Sequence, residues 1–456
     1  MKVHWMIAVV AMLLAGTFPA CALTLEAALA AAARTNPTLE SSRAAARARH
    51  EGVPLALSAW LPTIQASGSY TRNDRETRIA ADGRQATRSW ELSYNQNLYR
   101  GGADSAALRR AGAEVTRSHA ELEDAEQRVF LQVAAAYLDV IRAQRTVALR
   151  ETSLAAFTAR VDEIEAQFAV GDRTRADLAQ AQAEREIAIA DLAVAKADFE
   201  VRQQRFERLV GLAPHDLAPA APPAGLPATL DAALALAVTD HPSVRMAGHA
   251  LDAAGHAVES VAGEFRPRLD LTGRLAQHWQ SGAGFGGFAD DTRDASVTLR
   301  ATLPLVQAAG GAARLRQAIH VRAQYRSNLL ATQREAAERT TVAWHDLHVA
   351  RQRHTALEAA VAASRVALDG IRREAAVGER TMREVLDSER SLVSRQVEML
   401  AAERDVVARA YTLLSAVGAL TARQLALPGV ADLEREARET RWRLEPGLLP
   451  LSRDRD

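Results

Sequence analysis

Two phrases in this sequence place the same residue types in the same order. Residues 170–183 read VGDRTRADLAQAQA, and residues 377–390 read VGERTMREVLDSER. In the second phrase Glu384 and Asp387 are three residues apart, so a helix places them on one face. In an oligomeric tube such carboxylates repeat around the axis as a ring, and rings of carboxylates select cations. Arg380 comes one turn before Glu384 and can pair with it locally.

The glycine and the first acid of each phrase are explained by a turn between two helices. Gly171 and Gly378 can adopt the left-handed conformation that often ends a helix. Asp172 and Glu379 are predicted at the start of the returning helix, where the exposed amides favour an acid. This interpretation leaves the Arg-Thr pair and the acids further along without a role.

Other kinds of chemistry find little support. The single cysteine is Cys21, and the sequence contains no H-E-x-x-H, G-x-S-x-G or Walker-type lysine loop. The 56 acidic and 56 basic residues balance, so no overall field favours a nucleic acid. We therefore predict a protein without a catalytic site, a cofactor or a metal, and without nucleic acid as a partner.

The N-terminus has the pattern of a secretory signal peptide, which we predict to span residues 1–22. A short basic start precedes the apolar run IAVVAMLLAG and an A-x-A cleavage pattern at 20–22. A second interpretation makes Cys21 a lipidated N-terminus, although Phe18 and Pro19 fit a lipobox poorly. Beyond residue 22 no apolar run reaches the roughly 18–20 residues of a spanning helix. The exported chain is therefore periplasmic, secreted or in the outer membrane as β-structure.

The mature chain is duplicated. LEAAL at 25–29, followed by Asn36-Pro37, matches LDAAL at 230–234, followed by His241-Pro242. The two phrases described above also correspond. We predict four parts after the signal peptide, which are a first repeat at 23–212, a linker at 213–228, a second repeat at 229–427 and a C-terminal tail at 428–456.

Each predicted repeat has the same internal order. It opens with a helix whose N-cap is Thr24 in the first repeat and Thr229 in the second. The residue before proline, Asn36 or His241, interrupts this helix. Period-two alternation then predicts a β-hairpin at about 63–98 and at about 268–303, with Leu98 on the apolar face. A long helical hairpin follows, with its tip near 170–177 or 377–387. In the second repeat this long helix is expected to begin at Gly311.

Helix lengths indicate how these parts assemble. At about 1.5 Å per residue the long arm would span about 100 Å, whereas the returning arm is shorter. We expect the opening helix of the other repeat to stack on the returning arm and supply the missing length. The predicted fold class is mainly α with a small β part, with duplicated coiled-coil hairpins forming a periplasmic α-barrel. Four strands per chain cannot close a barrel, so several chains must share one transmembrane β-barrel.

The features together resemble the TolC family of outer-membrane channel proteins over nearly the whole mature chain. The resemblance is carried by LTLEAALAAAARTNPTL, Leu61-Pro62, QNLYRGG at 96–102, VGDRTRADL and VGERTMREVLD. QNLYRGG with a returning VG-x-x-T arm is more similar to the type I secretion and general-efflux branch than to the lipoprotein drug-efflux branch. LPLVQAAGG at 303–311 departs from the usual Leu-Tyr/Phe-x-Gly-Gly of the family by two extra residues.

This resemblance implies a homotrimer in the cell outer membrane, in contact with its lipid, with a long periplasmic extension. The implied partners are a periplasmic adaptor (membrane fusion) protein and an inner-membrane transporter, either ABC or proton-driven. The implied latch joins Arg380 to Asp177 on the neighbouring hairpin, and Glu384 with Asp387 would form an acidic ring in the lumen. The tip turns that would contact the adaptor comprise Gly171, Asp172, Arg173, Thr174, Gly378, Glu379 and Thr381.

The function that follows is the outer-membrane exit duct of a tripartite export machine, for type I protein secretion, general efflux or both. One alternative is a drug-efflux outer-membrane factor of a proton-driven pump. Another is a non-conducting structural or adhesive outer-membrane protein. The sequence leaves open whether the cargo is a protein or a small molecule.

Overall fold

A computed structural model describes residues 22–75, 83–282, 290–306 and 309–427. The predicted signal peptide up to Cys21 and the C-terminal tail lie outside the described residues, as do the central parts of the two hairpin tips. The described elements, in chain order, are α1 (Leu25–Thr35), α2 (Pro37–His50), α3 (Gly52–Leu57), a 3-10 turn (Ser58–Trp60), β1 (Thr63–Arg75), β2 (Gly83–Arg100), α4 (Ala103–Ala169), α5 (Arg175–Val210), α6 (Leu230–Asp240), α7 (Pro242–Gly263), β3 (Arg268–Gly282), β4 (Asp290–Thr302), α8 (Ala309–Ala376) and α9 (Met382–Ala416).

The predicted caps and interruptions of the opening helices are confirmed. The side chain of Thr24 accepts a hydrogen bond from the backbone amide of Ala27, three residues ahead, and that of Thr229 accepts one from the amide of Ala232. Asn36 and His241 leave the helical region with ψ of 120° and 130°, because the proline that follows each of them disfavours the α conformation. The next helix then begins at that proline.

The end of α5 meets the opening helices of its own repeat. Thr35 Oγ1 donates to the carbonyl of Val210 at 2.7 Å, and Asn36 Nδ2 donates to that of Leu209 at 2.9 Å. These side chains satisfy carbonyls that the last turn of a helix leaves unpaired. The expectation that the opening helix of the other repeat stacks on α5 is therefore wrong, because the interruption at Asn36 provides the matching donors.

The chain divides into two compact units. The first comprises residues 1–43, 122–242 and 333–436, and the second comprises 44–121, 243–332 and 437–456. In the first unit the largest buried side chains include Phe130, Tyr137 and Phe206. The Tyr137 hydroxyl lies 2.7 Å from the carbonyl oxygen of Leu23 and 2.6 Å from that of Ala218. The buried phenol is thus hydrogen-bonded, as burial of a polar group requires.

The second unit contains one antiparallel sheet in the order β1-β2-β3-β4. The hairpins of the two predicted repeats therefore lie side by side, joined by β2 and β3. Ile64, Tyr94, Gly273 and Val297 are in register across the four strands, and form part of the predicted apolar face. On the other face Arg274 and Glu91 form an ion pair at 2.9 Å. The four predicted strands and their alternation are confirmed.

One strand of this unit departs from strict alternation, and the predicted start of its long helix is wrong. The register shifts between Asn97 and Tyr99, so Tyr99 stands opposite Leu269 and Leu98 is the extra residue of a β-bulge. The helix α8 begins at Ala309, before the glycine pair, and Gly310 lies within its first turn. Its counterpart Gly101 instead has a φ of +62° and directly follows β2, so the two glycine pairs differ in conformation.

Among the described residues, no helix has both the length and the apolar character needed to cross a membrane.

Candidate functional site

Each repeated phrase forms the same helix-ending turn in the first unit. Gly171 and Gly378 both have a φ of +83°. The amide of Asp172 donates to the carbonyl of Gln167 at 2.9 Å, and the second phrase repeats this bond at 2.9 Å. This is the Schellman arrangement, in which a left-handed residue lets the chain satisfy the last helical carbonyls. The glycines are therefore required by the backbone conformation.

The threonine of each phrase caps the returning helix. Thr174 Oγ1 accepts from the amide of Asp177 at 3.2 Å, and Asp177 Oδ2 accepts from the amide of Thr174 at 3.1 Å. Thr381 and Glu384 form the same reciprocal pair at 3.4 and 2.9 Å. Both are capping boxes, which satisfy amides that the first turn would otherwise leave unpaired.

The placement of Asp172 and Glu379 at the start of the returning helices is wrong. The helices begin later, at Arg175 and Met382. The acid directly after each glycine therefore lies in the turn, before the capping threonine. The carboxylate that serves each helix start belongs to its third residue, because only from there can it return to the amide of the cap.

The arginine of each phrase braces its turn. Arg173 Nε donates to Gln167 Oε1 at 3.0 Å, and Arg380 Nε donates to Glu374 Oε2 at 2.8 Å. Each arginine thus reaches six residues back across the glycine. Arg380 Nη1 also donates to Glu384 Oε1 at 2.9 Å. The Arg-Thr pair, which the turn alone did not explain, therefore has a local structural role in both phrases.

These contacts stabilise the charged forms of three tip residues. Hydrogen bonds from the hydroxyl and amide of Thr174 lower the pKa of Asp177. The amide of Thr381, and then the guanidinium of Arg380, lower the pKa of Glu384. Hydrogen bonds to Glu374 and Glu384 raise the pKa of Arg380 above its usual value.

The two residues of the predicted latch have other partners within this chain. Arg380 contacts Glu374 and Glu384, whereas Asp177 accepts from Thr174. In the described part of the chain no ion pair joins Arg380 to Asp177. The latch therefore stays a prediction that concerns a neighbouring hairpin.

The two acids of the predicted ring differ in their surroundings. The carboxylate of Glu384 is held by the capping box and Arg380. Asp387 lies 3.8 Å from Arg383 and 3.5 Å from Arg390, and its side chain is half exposed. These pairs are long and exposed, so each contributes little to stability. The carboxylate of Asp387 is accordingly held less tightly than that of Glu384, although two arginines flank it.

The tips expose the residues predicted to contact a partner. Arg173 is half-buried, and the other six are exposed, namely Gly171, Asp172, Thr174, Gly378, Glu379 and Thr381. Val170 and Val377, which precede the two glycines, are 81% and 73% exposed. Each tip therefore presents an apolar side chain beside charged ones, which suits a protein partner better than bulk water.

Behind the tips the two helical hairpins pack on each other. Buried side chains from all four long helices form one apolar cluster, comprising Phe157, Val161, Ile164, Ala181, Ala188, Ala375, Met382, Val385 and Leu386. The cluster begins within one turn of Thr381. The position of one tip therefore depends on that of the other.

A buried ion cluster beside these apolar residues was not found from the sequence. Glu389 on α9 is 7% exposed. Its Oε1 accepts from Arg160 of α4 at 3.1 Å and from Arg372 of α8 at 2.8 Å. Because α4 belongs to one hairpin and α8 with α9 to the other, this carboxylate joins the two hairpins electrostatically.

Glu184 and Arg390 form a second link between the hairpins, at 3.5 Å. A sequence signal for both buried acids exists. Glu184 interrupts a stripe of alanines, Ala181 and Ala188, at spacings of three and four. Glu389 follows Val385 and Leu386 in the same manner. An acid within a buried stripe of a helix requires a cation on a neighbouring element.

The folded chain thus defines a class of protein, in which duplicated long helical hairpins accompany a small antiparallel sheet with an apolar face. The family described as "Outer membrane efflux protein" matches residues 28–212 and 233–419. The chain belongs to this family, and its place is the outer membrane. The predicted fold class and the resemblance to TolC-like channels are confirmed.

Relatives and solved structures agree with this assignment. Outer membrane efflux protein BepC of Brucella suis biovar 1 is 34% identical over 422 residues, which cover 91% of each chain. Alkaline protease secretion protein AprF of Pseudomonas aeruginosa is 26% identical over 68% of this chain and 65% of its own length. The crystal structure of the Campylobacter jejuni CmeC outer membrane channel superimposes with a TM-score of 0.75 at 15% identity, and covers 91% of this chain and 89% of that one. This last likeness concerns the fold alone.

Proposed function

We propose that this protein is the outer-membrane exit duct of a tripartite export machine. The observation that carries the proposal is the sheet, which has an exposed apolar face. Among the described residues, β1 and β4 each have a strand neighbour on one side only. Val297 and Leu299 on that face are 81% and 61% exposed. An apolar face of this kind suits lipid, and lipid does not tolerate open strand edges.

The open edges favour an assembly of several copies. In a homotrimer twelve strands would close one shared barrel, and the six helical hairpins would continue it as a tunnel into the periplasm. The two repeats, 23–212 and 229–427, would then be pseudo-equivalent units of one ring. Substrate would pass through the lumen without a chemical step on this chain.

The tips supply the contact for partner proteins. Each tip exposes a valine and a charged turn, and such a mixed surface suits a periplasmic adaptor that links the duct to an inner-membrane transporter. The names of the relatives support both kinds of cargo, since BepC is an efflux protein and AprF serves secretion of a protease. The transporter, whether ABC or proton-driven, would choose the cargo.

Deletion of the gene tests this function. A conduit predicts loss of a secreted protein from the medium or increased sensitivity to small toxic compounds, and restoration by the intact chain. A secretion defect without drug sensitivity would indicate type I secretion, and the reverse would indicate efflux. A deletion strain with neither defect would favour a structural or adhesive role.

A gate at the periplasmic tip completes the proposal. In the closed duct Arg380 would exchange its local partner Glu384 for Asp177 on the neighbouring hairpin. One exposed pair is worth only about 0–1 kcal/mol, but pairs repeated around a ring would open together. Glu384 and Asp387 would form the acidic ring that a cation meets first.

Single-channel conductance in planar bilayers tests the latch. Arg380→Ala and Asp177→Ala should each raise conductance, whereas Arg365→Ala, an exposed arginine of α8, should leave it unchanged. If neither of the first two variants differs from the Arg365 control, the latch is wrong.

Block by multivalent cations tests the ring. Asp387→Asn should weaken block from the periplasmic side, and Asp369→Asn, an exposed acid of α8, provides the matched control. Block that persists in Asp387→Asn would remove this residue from the ring.

A further inference from the structure

The sheet of the second unit contains one interface between its two hairpins and leaves two edges open. Within the chain β2 pairs with β3, whereas β1 and β4 each have one strand neighbour among the described residues. The two hairpins belong to the duplicated repeats, so β1 corresponds to β3 and β2 corresponds to β4. The open edges of β4 and β1 are therefore the counterparts of the two edges that already meet inside the chain.

The registers within the hairpins determine which residues correspond. Gly68 of β1 corresponds to Gly273 of β3, which sets an offset of 205 residues between these strands. Gly68 faces Trp90, and Gly273 faces Val297. Trp90 of β2 therefore corresponds to Val297 of β4, which sets an offset of 207 residues between the other two strands.

The register between β2 and β3 then predicts a register between β4 of one copy and β1 of another copy. Leu92 faces Leu275 inside the chain. Their counterparts are Leu299 and Tyr70, so these two side chains would face each other across the new edge. The same transfer places residues 294–302 of β4 opposite residues 67–75 of β1.

The transferred register keeps like faces of the sheet together. On the polar face it places Thr302 opposite Ser67 and Thr298 opposite Thr71. On the apolar face Leu299 would face an aromatic ring, as described above. A slip by one residue would place the apolar side chains of one strand beside the polar side chains of the other. The duplication and the alternation of the two faces therefore agree on the same pairing.

Exposed apolar side chains at the two open edges also match in this register. Ile64, near the start of β1, is 66% exposed, and Val306, just after β4, is 92% exposed. Their counterparts Leu269 and Tyr99 face each other between β3 and β2. The transferred register thus pairs Val306 of one copy with Ile64 of another. This contact would cover part of the apolar surface that each of them exposes.

Pro304 is compatible with the same pairing. It corresponds to Asn97, which directly precedes the β-bulge at Leu98. Proline has no amide hydrogen to donate, so within sheets it is restricted to edges and bulges. In the transferred register Pro304 therefore stands beside the place where the hydrogen-bond ladder is interrupted.

We propose that β4 of one copy pairs with β1 of the next copy in this register, with Leu299 opposite Tyr70 and Thr302 opposite Ser67. The two edges differ, so the contact is head to tail, and such contacts form a ring when the rotation closes. The partner of each open edge is a second copy of this chain. This inference rests on the proposed function, in which several copies share one barrel, and it adds the register of the contact between them.

Disulfide cross-linking of the full-length protein in isolated outer membranes tests this register. Thr302→Cys with Ser67→Cys should yield covalent oligomers on non-reducing gels after mild oxidation, and a reductant should return them to monomers. Residues directly opposite each other in an antiparallel pair have Cα atoms about 4.5–5.5 Å apart, within the range of a disulfide. Thr302→Cys with Ser69→Cys is shifted by two residues, to about 7–8 Å, and should remain monomeric.

Matched variants control for the chemistry of the cross-link. Asn95→Cys with Thr272→Cys occupies the corresponding position within one chain, so it should close a disulfide without linking chains. Each single-cysteine variant should remain monomeric, which accounts for links through Cys21. If the first pair does not assemble, Thr298→Cys with Thr71→Cys tests the same register further along β4.

Two outcomes would overturn the proposal. The first is equal or stronger linking by the shifted pair, which would place the two strands in another register. The second is the absence of linked chains in both pairs of the proposed register while the control within one chain closes its disulfide. Because cross-linking requires no export, either outcome leaves the exit-duct function to the deletion experiment. A deletion strain without a defect would in turn leave a positive cross-link intact.

Discussion

Removal of the Glu389 carboxylate should loosen the contact between the two helical hairpins at their tips. The carboxylate accepts from arginines on two different helices, Arg160 at 3.1 Å and Arg372 at 2.8 Å. Its side chain is 8% exposed, so water does not replace either partner while the hairpins are packed. Glu389→Ala would remove the anion that the two guanidinium groups share, and Arg160 would keep its ion pair with Glu163 on the same helix.

The expected loss of stability follows from the exposure of the two arginines. Removing one partner of a fully buried ion pair costs about 3–5 kcal/mol. Here the side chains of Arg160 and Arg372 are 19% and 43% exposed, so water can hydrate them once the anion is gone. We therefore expect a loss of about 1–3 kcal/mol, which corresponds to a factor of about 5–150 in a local equilibrium.

Hydrogen–deuterium exchange measures this effect directly. Amides of residues 382–392 and 157–164 should exchange faster in Glu389→Ala by the factor given above, because their protection depends on the packed hairpins. Glu398→Ala, an exposed acid on the same helix, is the control. Glu389→Gln keeps the size and one acceptor, so it should fall between the two. Equal exchange in Glu389→Ala and Glu398→Ala would refute the reasoning.

Three further predictions concern the tip turns. Thr381→Ala should lower the stability of the start of α9 by about 1 kcal/mol, because the helix loses its N-cap. Amides there should exchange faster in this variant, whereas Thr381→Ser keeps the cap and should exchange as the unmodified protein does. Gly171→Ala should destabilise the turn by about 1 kcal/mol, because Gly171 has a φ of +83°. The control Gly112→Ala, within α4, should be neutral or stabilising. Equal effects of the two substitutions would contradict the left-handed turn. The lowered pKa values of Asp177 and Glu384 stabilise the turns above the unfolded pKa of about 4, and this contribution is lost as pH falls through the folded values. Amide protection at the tips, corrected for intrinsic exchange, should therefore decrease in acid, and Asp177→Asn with Glu384→Gln should abolish that dependence.

Local rules explain most of what was predicted correctly. Thr24 and Thr229 cap helices because a threonine oxygen reaches an amide three residues ahead, and this depends on nothing distant. Period-two alternation placed the four strands for the same reason. The tips illustrate a limit of this reasoning, since two acids in each phrase satisfy a local rule. The acid beside the glycine fits the preference for an acid at a helix start, but each helix begins only after Thr174 or Thr381, whose capping box uses the acid three residues on.

The sequence by itself therefore determined the duplicated helical hairpins, the strands with one apolar face, the glycine turns and the family to which the chain belongs. These features follow from residue spacing, because helix and strand periodicity act over a few residues. Only the tertiary structure decided which partner each charged residue takes. Arg380, Glu389 and Arg390 each have several oppositely charged residues at permitted spacings. The choice among them depends on which distant elements pack together, and a pattern along the chain does not contain that information.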